Sequence, residues 1–330
     1  MNGDPKRPGG RIVAVLDTGY ESYDAERSVL EPEGYSLAIY PGSAVDTAAK
    51  CAFAGKAAGL LIRWTIIDRD FLRQNPRLKA IVRYGAGYEN IDLPAASEFG
   101  VRVANVRGYG NHAVSDHALA LIYACARAIP SGQKAIAQKF GAPPIDRIVE
   151  LHDKTLGIIG LGRIGGTLSS KARHLFGRVV AVDPYIEPAR FGLHGAEQVS
   201  LGELLETSDV ISLHCNLTVE TEDMIGDGEF RMMKRKPILI NTARGPVIQQ
   251  EGLRRALDAG LIHSAGIDVF NSEIASELPR WMLDHPSIIA TGHYAWYSEY
   301  AHRELQRRAA QNLLAMLQGD IPEDCLNANS

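Results

Sequence analysis

The segment TLGIIGLGRIGGTLSSKARHLFGRVVAVDPY, residues 155–185, decides the fold. Gly160, Gly162 and Gly165 form the pattern G-x-G-x-x-G directly after an apolar run and at the head of a helical pattern. Glycines there permit a tight turn and let backbone amides at the helix N-terminus approach a pyrophosphate. A bare glycine pattern is weak evidence, because glycine-rich turns are common in proteins.

Asp183 strengthens the pattern, because it ends the next apolar run about 20 residues after the first glycine. A carboxylate at this place accepts hydrogen bonds from the adenosine ribose and repels a 2′-phosphate. Alone, Asp183 is weaker evidence, because an aspartate at the end of a strand is often only a cap. Strand, helix, second strand and acid together predict a dinucleotide site, and the acid favours NAD over NADP.

Short apolar runs bounded by Gly, Pro and Asp repeat on both sides of this segment, as in parallel strands buried on both faces. The first series comprises residues 11–17, 35–40, 58–63, 78–85 and 101–106. The second series comprises residues 155–160, 178–183, 209–214, 237–242, 264–269 and 287–291. The segments between them are long enough for crossover helices. The fold class is therefore α/β, with two domains and a doubly wound sheet in the second.

Two longer helices are predicted outside these series. One begins with Asn111 as N-cap, and the stretch GAPPIDR, residues 141–147, interrupts the pattern after it. The apolar face of this helix is Val114, Ala118, Leu121, Ile122, Cys125 and Ile129. The other begins at Ser298 and ends at Gly319, a typical C-terminal cap. Its apolar face is Leu305, Ala309, Leu313, Met316 and Leu317.

Composition excludes several classes of protein. The 330 residues carry a net charge of -4 and no dense basic cluster, so nucleic acid is not an expected partner. No apolar run reaches the roughly 18 residues of a membrane span. The start, MNGDPKRPGG, lacks the apolar region of a signal peptide. The four cysteines are scattered without CxxC pairs, which predicts a reducing, cytoplasmic location and no metal site.

Three polar residues follow the later strands of the second series. Arg244 lies in NTARG, Glu273 follows the run GIDVF with its Asp268, and His293 lies in TGHYAW. Open α/β sheets bind ligands at the carboxyl ends of their strands. An arginine grips a carboxylate with paired hydrogen bonds, and a glutamate beside a histidine stabilises its protonated form. Singly, each is better explained as a surface or loop residue, so the argument rests on all three together.

The first domain offers a second anion site in RYGAGYENID, residues 83–92. Backbone amides in a Gly-Ala-Gly turn form a nest for anions, although a plain strand-to-helix turn explains the pattern equally well. The expected pocket residues are Arg63, Trp64, Tyr84, Tyr88 and Trp296. An arginine pointing inward would favour a second negative charge on a ligand, and a tryptophan an apolar tail. Core packing is the alternative for Trp64.

With these motifs the chain resembles the D-isomer-specific 2-hydroxyacid dehydrogenase family over nearly its whole length. IVRYGAGYENID, LGIIGLGRIG, NTARG and HYAWYSE are most similar to its C-terminal-binding-protein branch. The resemblance implies a flavodoxin-like substrate domain, residues 1–110 and 299–330, and a Rossmann NAD-binding domain, residues 111–298. It also implies a substrate and cofactor held between the domains, and a homodimer formed through the NAD-binding domains.

Family roles transfer to matching residues. Arg244, Glu273 and His293 would be catalytic, the last as acid–base. The implied cofactor residues are Gly160, Gly162, Arg163, Ile164, Gly165, Asp183, His214, Cys215, Asn216, Thr242, Ala243, Asp268 and His293, on strand ends and in the loop reaching Glu220. The implied substrate residues are Ala86, Gly87, Arg244 and Trp296. Tyr294, Tyr297 and Tyr300 are expected to be packing residues.

The chain departs from the family pattern at several positions. Gly292 and Ile274 stand where prolines are usual, beside His293 and Glu273. Asn216 replaces another common proline, and Pro246 and Gln249 replace a glycine and an aspartate. At Ala86 the nearest branch often has serine, so only a backbone contact transfers.

The leading hypothesis is an NAD-dependent dehydrogenase that interconverts a small 2-keto acid and a D-2-hydroxy acid. A rival from another class is an NAD(H)-sensing interaction protein, like the corepressors of the resembled branch. Against it, the chain ends soon after its last helix, without a disordered regulatory tail. A third hypothesis, oxidation of formate or phosphite, has no feature of the sequence that requires it.

Overall fold

The computed structural model describes residues 11–43, 45–137, 148–272 and 277–328. The chain divides into two compact units. Unit 1 is Met1–Tyr109 with Ser298–Ser330, and unit 2 is Gly110–Tyr297. The domain boundaries expected from the sequence differ from these by one residue.

Unit 1 contains a five-stranded parallel sheet. Its strands are β1 Arg11–Val15, β2 Tyr35–Ile39, β3 Ala57–Ile62, β4 Ala80–Arg83 and β5 Arg102–Ala104. They pair in the order β2-β1-β3-β4-β5, the flavodoxin-like arrangement. The central strands are buried on both faces, which explains their continuous apolar sequence.

Unit 2 contains a seven-stranded parallel sheet. Its strands are β6 Thr155–Ile159, β7 Arg178–Val182, β8 Glu197–Gln198, β9 Val210–Leu213, β10 Ile238–Asn241, β11 Ser264–Ile267 and β12 Ile288–Ala290. The order is β12-β11-β10-β9-β6-β7-β8, a doubly wound Rossmann sheet with its switch point between β6 and β9. The sequence did not predict β8, because its two residues are polar and exposed and form no apolar run.

Helices cover both sheets. They are α1 Asp24–Leu30, α2 Thr47–Ala54, α3 Arg69–Gln74, α4 Leu93–Glu98, α5 Asn111–Ala126, α6 Ile129–Ala137, α7 Arg163–Ala172, α8 Ala189–Leu193, α9 Leu201–Thr207, α10 Asp227–Met232, α11 Gln250–Asp258, α12 Arg280–Asp284 and α13 Glu299–Gln318. Short 3-10 helices span Glu31–Glu33 and Gly245–Val247.

The α5 prediction needs two corrections. Gly110 is the N-cap, so Asn111 is already the first helical residue and caps nothing with its side chain. The helix stops at Ala126 because Ala128 adopts a left-handed φ of 51°, and Ile129 begins α6 with 56% of its surface exposed. The rest of the expected face, from Val114 to Cys125, is buried. The interrupting stretch, residues 141–147, lies outside the described residues.

The α13 prediction is confirmed. Ser298 is its N-cap, and the hydroxyl accepts a hydrogen bond from the Ala301 amide at 3.0 Å. Gly319 ends the helix with φ 100°, a conformation that favours glycine. The predicted face is buried from Leu305 to Met316, while Leu317 is half-buried.

Within the described ranges, none of the helices combines the length and the hydropathy that a membrane span requires. In the same ranges, no three His, Cys, Asp or Glu side chains are arranged to hold a metal ion. The four cysteines, Cys51, Cys125, Cys215 and Cys325, are free thiols.

Candidate active site

The glycine loop after β6 has the geometry of a phosphate-binding turn. Gly160 has φ +90°, and a Cβ there would lie 2.7 Å from the Cys215 amide nitrogen. A Cβ on Gly165 would lie 2.0 Å from the Gly160 carbonyl oxygen, so both positions require glycine. A Cβ on Gly162, the N-cap of α7, would meet nothing within 4 Å. The loop is therefore tightly packed at Gly160 and Gly165, whereas the space beside Gly162 at the helix N-terminus is open.

Asp183 lies beside this loop, at the end of β7. Its carboxylate accepts hydrogen bonds from the Leu161 amide at 2.8 Å and the Tyr185 amide at 3.0 Å. The Tyr185 hydroxyl in turn donates to Glu220, at the end of the loop that follows β9. The acid is thus held next to the glycine loop, as the sequence pattern predicts.

The loop after β9 begins with His214, Cys215 and Asn216. Desolvation lowers the pKa of His214 to about 4, so the imidazole is neutral near pH 7. Its Nε2 pairs with the Ser212 hydroxyl at 2.8 Å, and its buried Nδ1 has no hydrogen-bond partner among the described residues. Burial also raises the pKa of the Cys215 thiol.

The turn after β10 holds Thr242, Ala243 and Arg244. Asn241, which the sequence analysis did not single out, accepts from the Ala243 amide at 3.0 Å and donates to the Arg244 carbonyl at 2.9 Å. The Arg244 guanidinium is half-buried and donates to the Ala243 carbonyl at 2.8 Å. Thr242 Oγ1 is buried and has no hydrogen-bond partner in the described part of the chain. Asn241 therefore shapes the turn that presents Arg244.

Asp268 organises the loop after β12. It is 1% exposed, and its carboxylate accepts from the Thr291 hydroxyl at 2.5 Å and the amides of Tyr294 and Ala295 at 3.2 and 3.0 Å. Its carbonyl accepts from the His293 amide at 2.8 Å. His293 has a left-handed φ of 53°, which this network stabilises.

His117 on α5 is a further member of this network that the sequence did not indicate. Its Nε2 lies 3.0 Å from Thr291 Oγ1 and 3.6 Å from Asp268 Oδ1. Its ring contacts Tyr294 edge to face at 5.2 Å. No local signal marks His117, since it lies in an ordinary helical pattern and its partner Thr291 is 174 residues away.

The remaining residues of HYAWYSE lie at the surface or half-buried. The Trp296 indole is half-buried and donates to the His293 carbonyl at 3.1 Å. Tyr294, Tyr297 and Tyr300 are more than half exposed and lie outside the core, while Tyr294 packs edge to face on His117 and Tyr297 on Trp296. Gly292 has no positive φ, and a Cβ there would meet nothing within 4 Å, so the local geometry does not require glycine. Glu273 and Ile274 lie outside the described residues.

In unit 1, β4 leads into the turn Gly85–Ala86–Gly87. Gly85 has φ +118°, and Asn105 donates to the Ala86 carbonyl at 2.6 Å, which holds the turn. Tyr84 was expected to line a pocket, and that expectation is wrong. Its ring is buried, and its hydroxyl donates to the buried Glu26 carboxylate at 2.6 Å.

Arg63 and Trp64 lie together at the end of β3. The Arg63 guanidinium carbon is 4.8 Å from the Trp64 ring centroid and 5.4 Å from that of Tyr20. Trp64 is 49% exposed, which excludes core packing for its side chain within unit 1. Asp17 at the end of β1 accepts hydrogen bonds from the amides of Arg63, Trp64 and Thr65, and so sets the course of this turn.

Comparison with known proteins agrees with this geometry. Residues 119–295 match the model of the D-isomer specific 2-hydroxyacid dehydrogenase, NAD binding domain. The chain is 35% identical over 266 residues to a glyoxylate reductase of Korarchaeum cryptofilum, covering 79% of this chain and 80% of that protein. It is 33% identical over 273 residues to a D-3-phosphoglycerate dehydrogenase of Mycobacterium tuberculosis, of which it spans 51%.

Solved structures show the same two-domain fold. The apo D-lactate dehydrogenase of Escherichia coli matches with a TM-score of 0.82 and 27% identity, over 96% of this chain and 99% of that chain. The Aquifex aeolicus D-lactate dehydrogenase, solved with NAD and lactic acid, matches with a TM-score of 0.83 and 25% identity, over 97% of this chain and 100% of that chain. These relatives are dehydrogenases and reductases, which favours the enzyme over the corepressor-like alternative. The branch placement remains a prediction. The chain belongs to the D-isomer-specific 2-hydroxyacid dehydrogenase family and is an NAD-dependent oxidoreductase that acts on CH–OH groups.

Proposed function

We propose that the chain interconverts a small 2-keto acid and its D-2-hydroxy acid, with His293 as acid–base, Glu273 as its partner and Arg244 as the carboxylate-binding group. The observation that carries the proposal is the order of the strands. Arg244, Asp268 and His293 follow β10, β11 and β12, which are neighbours in one parallel sheet. Their backbones therefore leave the sheet at the same carboxyl edge as the glycine loop.

The residues of unit 2 fit NAD. Bound NAD would supply or accept the hydride at C2 of the acid. The open N-terminus of α7 at Gly162 suits a pyrophosphate, and Asp183 suits the ribose hydroxyls. Thr242 Oγ1 and His214 Nδ1 are buried polar atoms without partners among the described residues, as expected where a polar ligand completes their hydrogen bonding. Arg163, Ile164, Cys215, Asn216 and Ala243 adjoin these groups in sequence and are proposed as further contacts.

Two side chains are proposed to act during reduction, one by stabilising negative charge and the other by donating a proton. Arg244 would bind the carboxylate and stabilise the negative charge that develops on the C2 oxygen. His293 would donate its proton to that oxygen and recover it from solvent. The amides of Ala86 and Gly87 are proposed to bind the substrate carboxylate, and Trp296 to contact the substrate.

The tail of the substrate is proposed to meet Arg63 and Trp64. The Arg63 guanidinium lies against two aromatic rings at the end of β3, and its positive charge is proposed to set the preference. We propose that the enzyme prefers substrates whose tail carries an anionic group to substrates whose tail is purely apolar. A series of 2-keto acids of equal length that differ in tail charge tests this, and Arg63→Leu should abolish any preference for the charged members.

Assembly and location are also proposals. The family resemblance supports a homodimer formed through unit 2, which sedimentation equilibrium of the full chain would measure. The four free thiols support a reducing compartment, the cytoplasm.

The central experiment compares wild type with His293→Ala, using NADH with glyoxylate, pyruvate and hydroxypyruvate. We expect turnover by wild type and a loss of at least about a hundredfold in the variant, the usual contribution of a general acid. His152→Ala, an exposed histidine of the same unit, is the matched control. If His293→Ala keeps most of the wild-type rate, His293 is not the acid–base. Stable protein partners with negligible turnover by wild type would instead support the corepressor-like alternative.

A further inference from the structure

The hydrogen bonds around Thr291 fix the direction of the hydrogen bond that joins His117 of α5 to the loop after β12. Thr291 has one hydroxyl proton, and it is donated to the Asp268 carboxylate over 2.5 Å. The His117 Nε2 lies 3.0 Å from Oγ1, the hydroxyl oxygen of Thr291. Because the Thr291 proton is already used, Nε2 must be the donor in this pair, so His117 carries a proton on Nε2.

The chain of bonds continues from Asp268 to the loop itself. One carboxylate accepts from Thr291, Tyr294 and Ala295, and the carbonyl of the same residue accepts from His293. His293 needs this support because its φ of 53° is unfavourable for a residue with a Cβ. The ring of His117 also packs on Tyr294, so α5 contacts the loop both through Thr291 and directly.

We infer that His117 is a positioning residue, which holds the His293 loop through the Nε2–H donor to Thr291 and the Thr291 hydroxyl to Asp268. The inference rests on the proposed function only where it concerns turnover. His117 orients the loop and takes no proton from the substrate. Loss of its donor loosens the loop and misplaces the acid–base group, which lowers kcat while nucleotide binding is retained.

The first test does not depend on catalysis. Amide hydrogen exchange of His293, Tyr294 and Ala295 is compared in wild type, His117→Leu and His117→Gln. Glutamine is chosen because its amide nitrogen reaches the position of Nε2 and donates. We expect exchange to accelerate at least about tenfold in His117→Leu and to stay near wild type in His117→Gln. Equal exchange in all three proteins, or equal acceleration in both variants, would overturn the inference.

The second test separates this role from a general loss of structure. We expect kcat with glyoxylate to fall about tenfold in His117→Leu and to recover in His117→Gln, with the NADH dissociation constant unchanged in both. Thr291→Val should reproduce His117→Leu, Thr291→Ser should not, and the double variant should be no worse than either single one. Additive losses in the double variant would contradict the route through Thr291. A retained rate in His293→Ala overturns the proposed function alone, since it does not alter the exchange result.

Discussion

Asp17 and Lys50 form a buried ion pair in unit 1, with Oδ1 and Nζ 2.5 Å apart and side-chain exposures of 1% and 3%. The second carboxylate oxygen of Asp17 accepts from the three amides of the turn after β3. Thr65 closes the network, since its hydroxyl donates to Asp17 at 2.7 Å and accepts from Lys50 at 3.2 Å. One buried charge therefore shapes the turn that carries Arg63 and Trp64.

Lys50→Met should destabilise the protein by about 3–5 kcal/mol, because it leaves the Asp17 carboxylate buried without its cation. The double variant Lys50→Met/Asp17→Asn should regain a large part of that loss, since it removes the uncompensated charge as well. Urea unfolding of the single and double variants measures both values. If the single variant is no less stable than the double variant, the buried Asp17 carboxylate does not need Lys50 to offset the cost of its burial.

The same pair predicts how stability responds to acid. Burial raises the pKa of Asp17, but the hydrogen bonds from Lys50, Thr65 and Arg63 outweigh it, and the pKa lies below its ordinary value. A lowered acid pKa stabilises the fold above the unfolded-state pKa, about 3.9, and this contribution is lost as pH falls through the folded-state value. The difference in unfolding free energy between wild type and the double variant should stay constant above about pH 5 and shrink below about pH 4. A difference that shrinks between pH 5 and 8 would contradict the assignment to Asp17.

Asp183→Asn should weaken the preference for NADH over NADPH by about tenfold or more, because it removes the charge that repels a 2′-phosphate. Asparagine keeps the side-chain shape and an oxygen that can accept from the Leu161 amide, although the Tyr185 amide loses its acceptor, so the glycine loop is expected to persist. Steady-state kinetics with both nucleotides provide the measurement. Asp258→Asn, which removes an exposed acid of α11, should leave the ratio unchanged.

Gln249→Asp should raise the free energy of unfolding by about 0.5–1 kcal/mol. Gln249 is the N-cap of α11, and its side chain makes no capping hydrogen bond. The shorter carboxylate can accept from the amides of the first turn, which have no acceptor within the helix, and interacts favourably with the helix dipole. Gln249→Ala is the control and should change stability by no more than a few tenths of a kcal/mol. An aspartate variant as stable as the alanine variant would show that the cap does not form.

Much of the fold followed from the sequence because each decisive signal is local. Buried parallel strands need continuous apolar runs, so eleven strand segments were recognisable from residues 11–17 to 287–291. The two-residue β8 has no such run, and the end of α5 depends on the backbone of Ala128, which no residue pattern announces.

For the candidate site, the sequence by itself determined which residues follow which strands, since strand order and glycine spacing are properties of the chain alone. It therefore indicated Gly160, Asp183, Arg244 and His293. Only the tertiary structure decided the long-range partners. His117 meets Thr291, Asp17 meets Lys50, and Tyr84 points into the core toward Glu26. The physical reason is that a hydrogen bond between distant segments depends on how helices and strands pack, and packing leaves no mark on the local pattern of either segment.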